Sequence, residues 1–180
     1  MNKKFQNSSY FLNDYEKVFR KICLDFKPLS ILEIGILDGY SLNCFIKYAS
    51  KETKILALDL FENYQFKNSN YEEITKLFNK FANVRVEYGD FYTFFYRKLN
   101  FDIIHIDISN DGEIFDFAIK NYYPLANKLL ILEGGSNERD NVGWMTKYQK
   151  PKINTFLKTL DTSYNFEIIN IFPSMTIFYK

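Results

Sequence analysis

Five short apolar runs, each of strand length and each closing on an acidic residue, alternate along this chain with amphipathic stretches. They are Ser30–Ile34 with Glu33, Lys54–Asp59, Val84–Tyr88 followed by Gly89-Asp90, Phe101–Asp107, and Lys128–Glu133. Strands alternating with helices in this way build βαβ units and a parallel sheet. Helices are expected over about Gly39–Ala49, Tyr71–Phe81, Ile114–Tyr122 and Lys152–Leu160. In the second of these, Ile74, Leu77, Phe78 and Phe81 fall on one face. Two further β-type runs, Asn165–Phe172 and Met175–Tyr179, are separated only by Pro173-Ser174. Strands joined so tightly must be antiparallel, because a parallel return needs a crossover of about a dozen residues. The expected fold is α/β, with a seven-stranded, mostly parallel sheet that ends in a C-terminal antiparallel hairpin.

At 180 residues the chain is read as one domain over 1–180, large enough to bury a core without disulfides. Its 23 basic residues balance 22 acidic ones, and no block of like charge stands out. Nothing therefore points to nucleic acid or an anionic membrane as a partner. The apolar runs are too short to span a bilayer. Met1–Ser8 has a basic start but no apolar core of a signal peptide, and Cys23 and Cys44 show no metal-type or redox-type spacing. Free, reduced cysteines suit a cytoplasmic protein. The 19% aromatic content fits an AT-rich coding sequence better than an aromatic binding surface.

Function is sought on the acidic strand ends, because open α/β sheets bind ligands outside the carboxyl ends of their strands. Where the first strand turns into the first helix the chain reads Glu33-Ile34-Gly35-Ile36-Leu37-Asp38-Gly39-Tyr40-Ser41. Gly35 permits a sharp turn and the approach of a ligand, and Gly39 relaxes the start of the helix, whose free N–H groups can face an anion. The spacing is not the dinucleotide G-x-G-x-x-G fingerprint. Asp59 could accept both hydroxyls of a ribose, and Asp90 an adenine amino group. A single strand-end carboxylate is commonly a helix cap, but five of them would repel one another unless they addressed hydroxyls or cations.

These motifs together resemble class I S-adenosylmethionine-dependent methyltransferases. Leu32-Glu33-Ile34-Gly35 through Gly39-Tyr40-Ser41 is similar to the first motif of their small-molecule O-methyltransferases. Leu58-Asp59-Leu60, Tyr88-Gly89-Asp90 and Phe101–Asp107 are similar to the second, third and fourth. The resemblance implies a Rossmann-like three-layer sandwich that binds S-adenosyl-L-methionine through Glu33, Gly35, Gly39, Ser41, Asp59, Leu60, Asp90, Phe91 and Asp107. Glu33 and Gly35 would line its methionine portion, Asp59 would hold the ribose, and Asp90 with Phe91 the adenine. Asp107 would lie near the methyl donor. Catechol-type and sugar O-methyltransferases of this family place a divalent metal on carboxylates after the fourth and fifth strands. The resemblance thus makes Asp107 and Glu133 candidate ligands for Mg²⁺, although Gly134 stands where a second carboxylate or Asn commonly follows.

Where relatives often carry a catalytic His, this chain has Ile108-Ser109-Asn110-Asp111-Gly112. The candidate catalytic residues are Asp107, His105 and Asp111, with Glu113 as a further base. His105 reads equally as a core histidine, and Asp111 and Glu113 as first-turn residues of a helix. The stretch Ser136–Gln149 is expected to be a long loop. It is either a lid in which Arg139 meets a ligand's carboxylate or phosphate, or a self-contained loop pairing Glu138, Arg139 and Asp140. Residues 1–28 form an expected helical segment that could cover the acceptor, with Tyr10 and Tyr15 as candidate contacts. The expected activity is methyl transfer to a small molecule, on an oxygen of a sugar or secondary metabolite. The alternatives are a catalytically degenerate binding protein of the same fold and a nicotinamide-dependent oxidoreductase. The acceptor and any homo-oligomer stay open.

Overall fold

A computed structural model describes residues 5–65 and 68–180. The sheet is seven-stranded, mostly parallel, and ends in an antiparallel hairpin. The chain divides into two compact units, Met1–Arg97 and Lys98–Lys180.

In the first unit β1 (Ser30–Ile34), β2 (Lys54–Asp59) and β3 (Val84–Tyr88) run parallel, with β2 between the other two. Ile31, Leu32, Glu33 and Ile34 are all buried, so β1 is covered on both faces, as parallel strands usually are. The helices are α1 (Ser9–Leu12), α2 (Glu16–Phe26), α3 (Tyr40–Tyr48), α4 (Tyr71–Phe78) and α5 (Phe91–Phe94). The N-terminal segment is thus two helices, broken where Asp14 takes a positive φ of 54°. Residues 1–4 of that segment lie outside the described residues. Tyr10 and Tyr15 are buried and pack on each other, and Tyr10 meets Phe19, which packs edge-on to Phe45 of α3. They are core residues rather than a surface offered to an acceptor.

The second unit holds β4 (Phe101–Ile106), α6 (Gly112–Asn121), β5 (Ala126–Glu133), α7 (Gly143–Lys147), α8 (Ile153–Leu157), β6 (Asn165–Ile169) and β7 (Met175–Tyr179). Strand β5 pairs parallel with β4 and antiparallel with β7, and β7 pairs antiparallel with β6. The expected hairpin is present, with β6 ending at Ile169 rather than Phe172. The expected loop over 136–149 contains a 3-10 turn at Arg139–Asn141 and the five-residue α7. Elements this short carry too few residues to show a period, and α5 went unseen for the same reason. Cys23 and Cys44 are free and buried, and burial pushes both thiols up to about 12. Among the described residues no helix is long and apolar enough to cross a membrane.

Candidate functional site

At the carboxyl end of the first unit, hydrogen bonds beyond the strands hold the rim residues side by side. Gly35 N–H donates to Leu58 O at 2.8 Å, and Gly89 N–H donates to Asp59 O at 3.0 Å. The β1–α3 loop is unusual in its backbone. Gly35, Leu37 and Gly39 all take positive φ, at 92°, 49° and 80°. For Leu37 that conformation is costly, on the order of 1–3 kcal/mol, and persists only where neighbours enforce it.

Asp59 enforces it. Its Oδ2 accepts the N–H of Ile36 at 2.7 Å and of Leu37 at 3.2 Å, and its Oδ1 accepts the N–H of Phe61 at 2.8 Å. A carboxylate offers about four acceptor positions. Asp59 therefore clamps the loop with three of these positions and keeps one further acceptor position. Gly39 has a second reason to be glycine, because an added Cβ would lie 2.6 Å from the Phe78 ring of α4. Beneath the loop, fully buried Glu33 accepts a hydrogen bond from Ser41 Oγ, which fixes the start of α3 to the end of β1.

Asp90 caps α5 by accepting the N–H of Tyr92 at 2.9 Å, and Phe91 is buried just after it. Leu60 is 37% exposed beside Asp59. Sequence reasoning missed an aromatic cluster on this rim. The Tyr71 and Tyr88 rings lie 4.5 Å apart, and both meet Phe61 edge-on at 5.1 Å. Tyr88 donates its hydroxyl to Glu62 at 2.7 Å, and that bond pushes the phenol up to about 12. The available signal was Phe61-Glu62 directly after the second motif.

In the second unit the strand-end residues are used differently. Asp107 is half-buried one residue beyond β4. Asp111 is the N-cap of α6, with Oδ1 accepting the N–H groups of Glu113 and Ile114 and Oδ2 paired with Lys150 at 2.9 Å. Asp111 is buried and its contacts hold the start of α6 and Lys150, so a base role there has no geometric support. His105 is wholly buried within β4, which favours the core reading. Asn110 is also buried, and its Nδ2 bridges Ile106 O and Glu133 O at 3.0 and 2.9 Å, tying the end of β4 to the end of β5.

Glu133 does not fit a metal. The Arg139 guanidinium is forked onto it, with Nε on Oε1 and Nη2 on Oε2 at 2.8 Å. Both side chains are buried, 4% exposed for Glu133 and 6% for Arg139. Burial pushes the Glu133 carboxyl up, and the charge of Arg139 pulls it back. Position 134 cannot supply a second ligand either. Gly134 sits at φ 110°, and a Cβ there would meet Ile153 Cδ1 at 2.6 Å. Among the described residues no group of three or more His, Cys, Asp or Glu side chains could hold a metal ion.

Neither expected form of the 136–149 segment is what folds. Arg139 turns inward to Glu133 rather than outward to a ligand or to Glu138 and Asp140. Asp140 caps α8 instead, accepting the N–H groups of Ile153 and Asn154 at 2.9 and 2.8 Å.

No protein-family model matches the chain, and no curated protein matches it. Solved structures do. The SAH-bound methyltransferase PaMTH1 of Podospora anserina aligns with a TM-score of 0.67 at 17% identity, covering 92% of this chain and 77% of that one. The O-methyltransferase of Bacillus cereus in complex with SAH gives 0.63 at 19% identity, over 93% and 81%. TomG of Streptomyces achromogenes, an O-methyltransferase of tomaymycin synthesis in complex with SAM, gives 0.64 at 14% identity, over 99% and 90%. At these identities the likeness speaks to architecture, and in architecture the chain is Rossmann-like in the manner of class I S-adenosylmethionine-dependent methyltransferases.

Proposed function

We propose that this chain is an S-adenosylmethionine-dependent methyltransferase acting on a small molecule, with an oxygen of a sugar or secondary metabolite as the acceptor. The observation that carries the reading is the first-unit rim, where a strained, glycine-bearing β1–α3 loop is fixed by a half-buried carboxylate that keeps one acceptor position. The fold shared with methyltransferases solved with SAM or SAH supports it.

On this reading Gly35 leaves room at the rim for the cofactor's amino-acid portion. Asp59 Oδ1 accepts one ribose hydroxyl, and Asp90 and Phe91 border the adenine. When bound, the cofactor supplies a methyl group on a sulfonium, whose S–CH₃ bond breaks as the acceptor's O–CH₃ bond forms. The protein's contribution is alignment of the two reactants, the largest effect available to such a displacement. Asp107 is the half-buried carboxylate next to a strand end that could take the acceptor's proton.

A second reading is favoured by specific observations. Asp111 caps a helix, His105 has no exposed surface and Glu133 holds Arg139, so three candidate groups are committed to structure. A cofactor-binding protein without transfer would look like this. Incubation with methyl-labelled S-adenosylmethionine and a broad panel of hydroxylated small molecules separates the two. Labelled product with release of S-adenosylhomocysteine is expected. Cofactor binding with no transfer to any acceptor would select the second reading, and no binding to folded protein would remove both.

A further inference from the structure

We infer that Arg139 is the resident cation of the Glu133 strand end, occupying with its guanidinium the place a divalent ion would need. Resting on the methyltransferase reading above, the consequence is that methyl transfer by this chain is independent of metal.

Arg139 covers the bidentate edge of Glu133, so an ion could reach this buried carboxylate only beside a fixed positive charge. A planar guanidinium suits this task better than an ammonium, because its parallel N–H groups match a carboxylate in two places. The arginine is held from other sides as well. Its Nη2 donates to Asn110 O at 3.3 Å, its backbone N–H donates to Ser136 Oγ at 3.2 Å, and Trp144 lies over its guanidinium at 5.1 Å. Asn110 in turn donates to the backbone Glu133 O, so the segment after β4 and the end of β5 are joined beside the ion pair.

The backbone is built to deliver Arg139 there. Gly134 and Gly135 take φ of 110° and 118°, and the chain after β5 folds back through them. A side chain at either place is strained by the positive φ, and a Cβ would also crowd Ile153 Cδ1 at 2.6 Å or Thr176 Oγ1 at 2.3 Å. The same turn that brings the guanidinium to Glu133 thus removes a neighbouring ligand position. A divalent ion would also have to approach a fixed positive charge, and in a buried setting that repulsion is only weakly screened.

The test uses the full chain stripped with a chelator, then titrated with Mg²⁺ or Mn²⁺ and followed by calorimetry and thermal unfolding. No saturable binding and no shift in Tm are expected, with S-adenosylhomocysteine affinity the same before and after stripping. Saturable metal binding that disappears in Glu133→Gln would overturn the inference. Arg139→Met should lower Tm by several degrees, and Glu133→Leu/Arg139→Met should recover most of the loss. An Arg139→Met protein as stable as the parent would show that the guanidinium compensates nothing, and would also overturn it. The metal titration reads this inference even if S-adenosylhomocysteine fails to bind, an outcome that would count against the methyltransferase reading alone.

Discussion

Asp59 and Glu133 end strands in different units of the chain, and the structure treats their charges in opposite ways. Asp59 is half-buried and meets only neutral donors in its resolved hydrogen bonds, the N–H groups of Ile36, Leu37 and Phe61. Its negative charge stays on the rim and can still accept from a hydroxyl. Glu133 is buried and meets a full positive charge, so its end of the second unit is neutralised from within. Identical chemistry at two strand ends therefore serves two purposes. Backbone donors shape a loop around a carboxylate and leave it receptive, whereas a forked arginine withdraws the carboxylate from further chemistry.

The strongest way to break this contrast is to remove the arginine. Arg139→Met leaves Glu133 buried without its partner and should cost about 3–5 kcal/mol in urea unfolding, while Glu133→Leu/Arg139→Met should be close to the parent. Next, Asp59→Ala deprives the β1–α3 loop of its clamp. A loss of about 2–3 kcal/mol is expected from hydrogen bonds to a charged acceptor, together with a marked fall in S-adenosylhomocysteine affinity. A pure stability loss with unchanged affinity would reduce Asp59 to a loop clamp.

Gly39→Ala sharpens the picture of the same loop from its other end. Forcing a Cβ against Phe78 at φ 80° should cost about 1–2 kcal/mol, measured by thermal unfolding. The smallest effect belongs to a carboxylate of a third kind. Glu16 on α2 is partly exposed, and hydrogen bonds from Lys47 and Tyr48 hold its pKa below the ordinary 4.5. A depressed folded-state value means that the stabilisation is present above pH 4.5 and is lost as pH falls through the lower value. Solvent screening limits this to less than about 1 kcal/mol, and Glu16→Gln should flatten that part of the stability profile.

Much of this architecture is legible in the sequence. The strands declare themselves as apolar runs, and Pro173-Ser174 forces the hairpin, because each signal is local. Asp111 as a helix cap could be read from its place before an amphipathic stretch. The Glu133–Arg139 fork could not. It depends on how the chain bends at Gly134 and Gly135, and six residues apart in a loop is no recognised pairing distance. The Asp59 clamp was hidden for a similar reason, since its donors are main-chain groups whose direction follows from positive φ at Gly35 and Leu37. Side-chain chemistry shows in a sequence; the backbone dihedrals that decide its partners do not.

Cofactor binding at the first-unit rim requires Asp59 to be a carboxylate still open to a ligand. Calorimetric titration of S-adenosylhomocysteine into the metal-stripped protein, and into Asp59→Ala, tests this most directly. The prediction is single-site saturable binding to the parent and a large loss in the variant. Absence of binding to the folded parent, or equal affinity in both proteins, would contradict it.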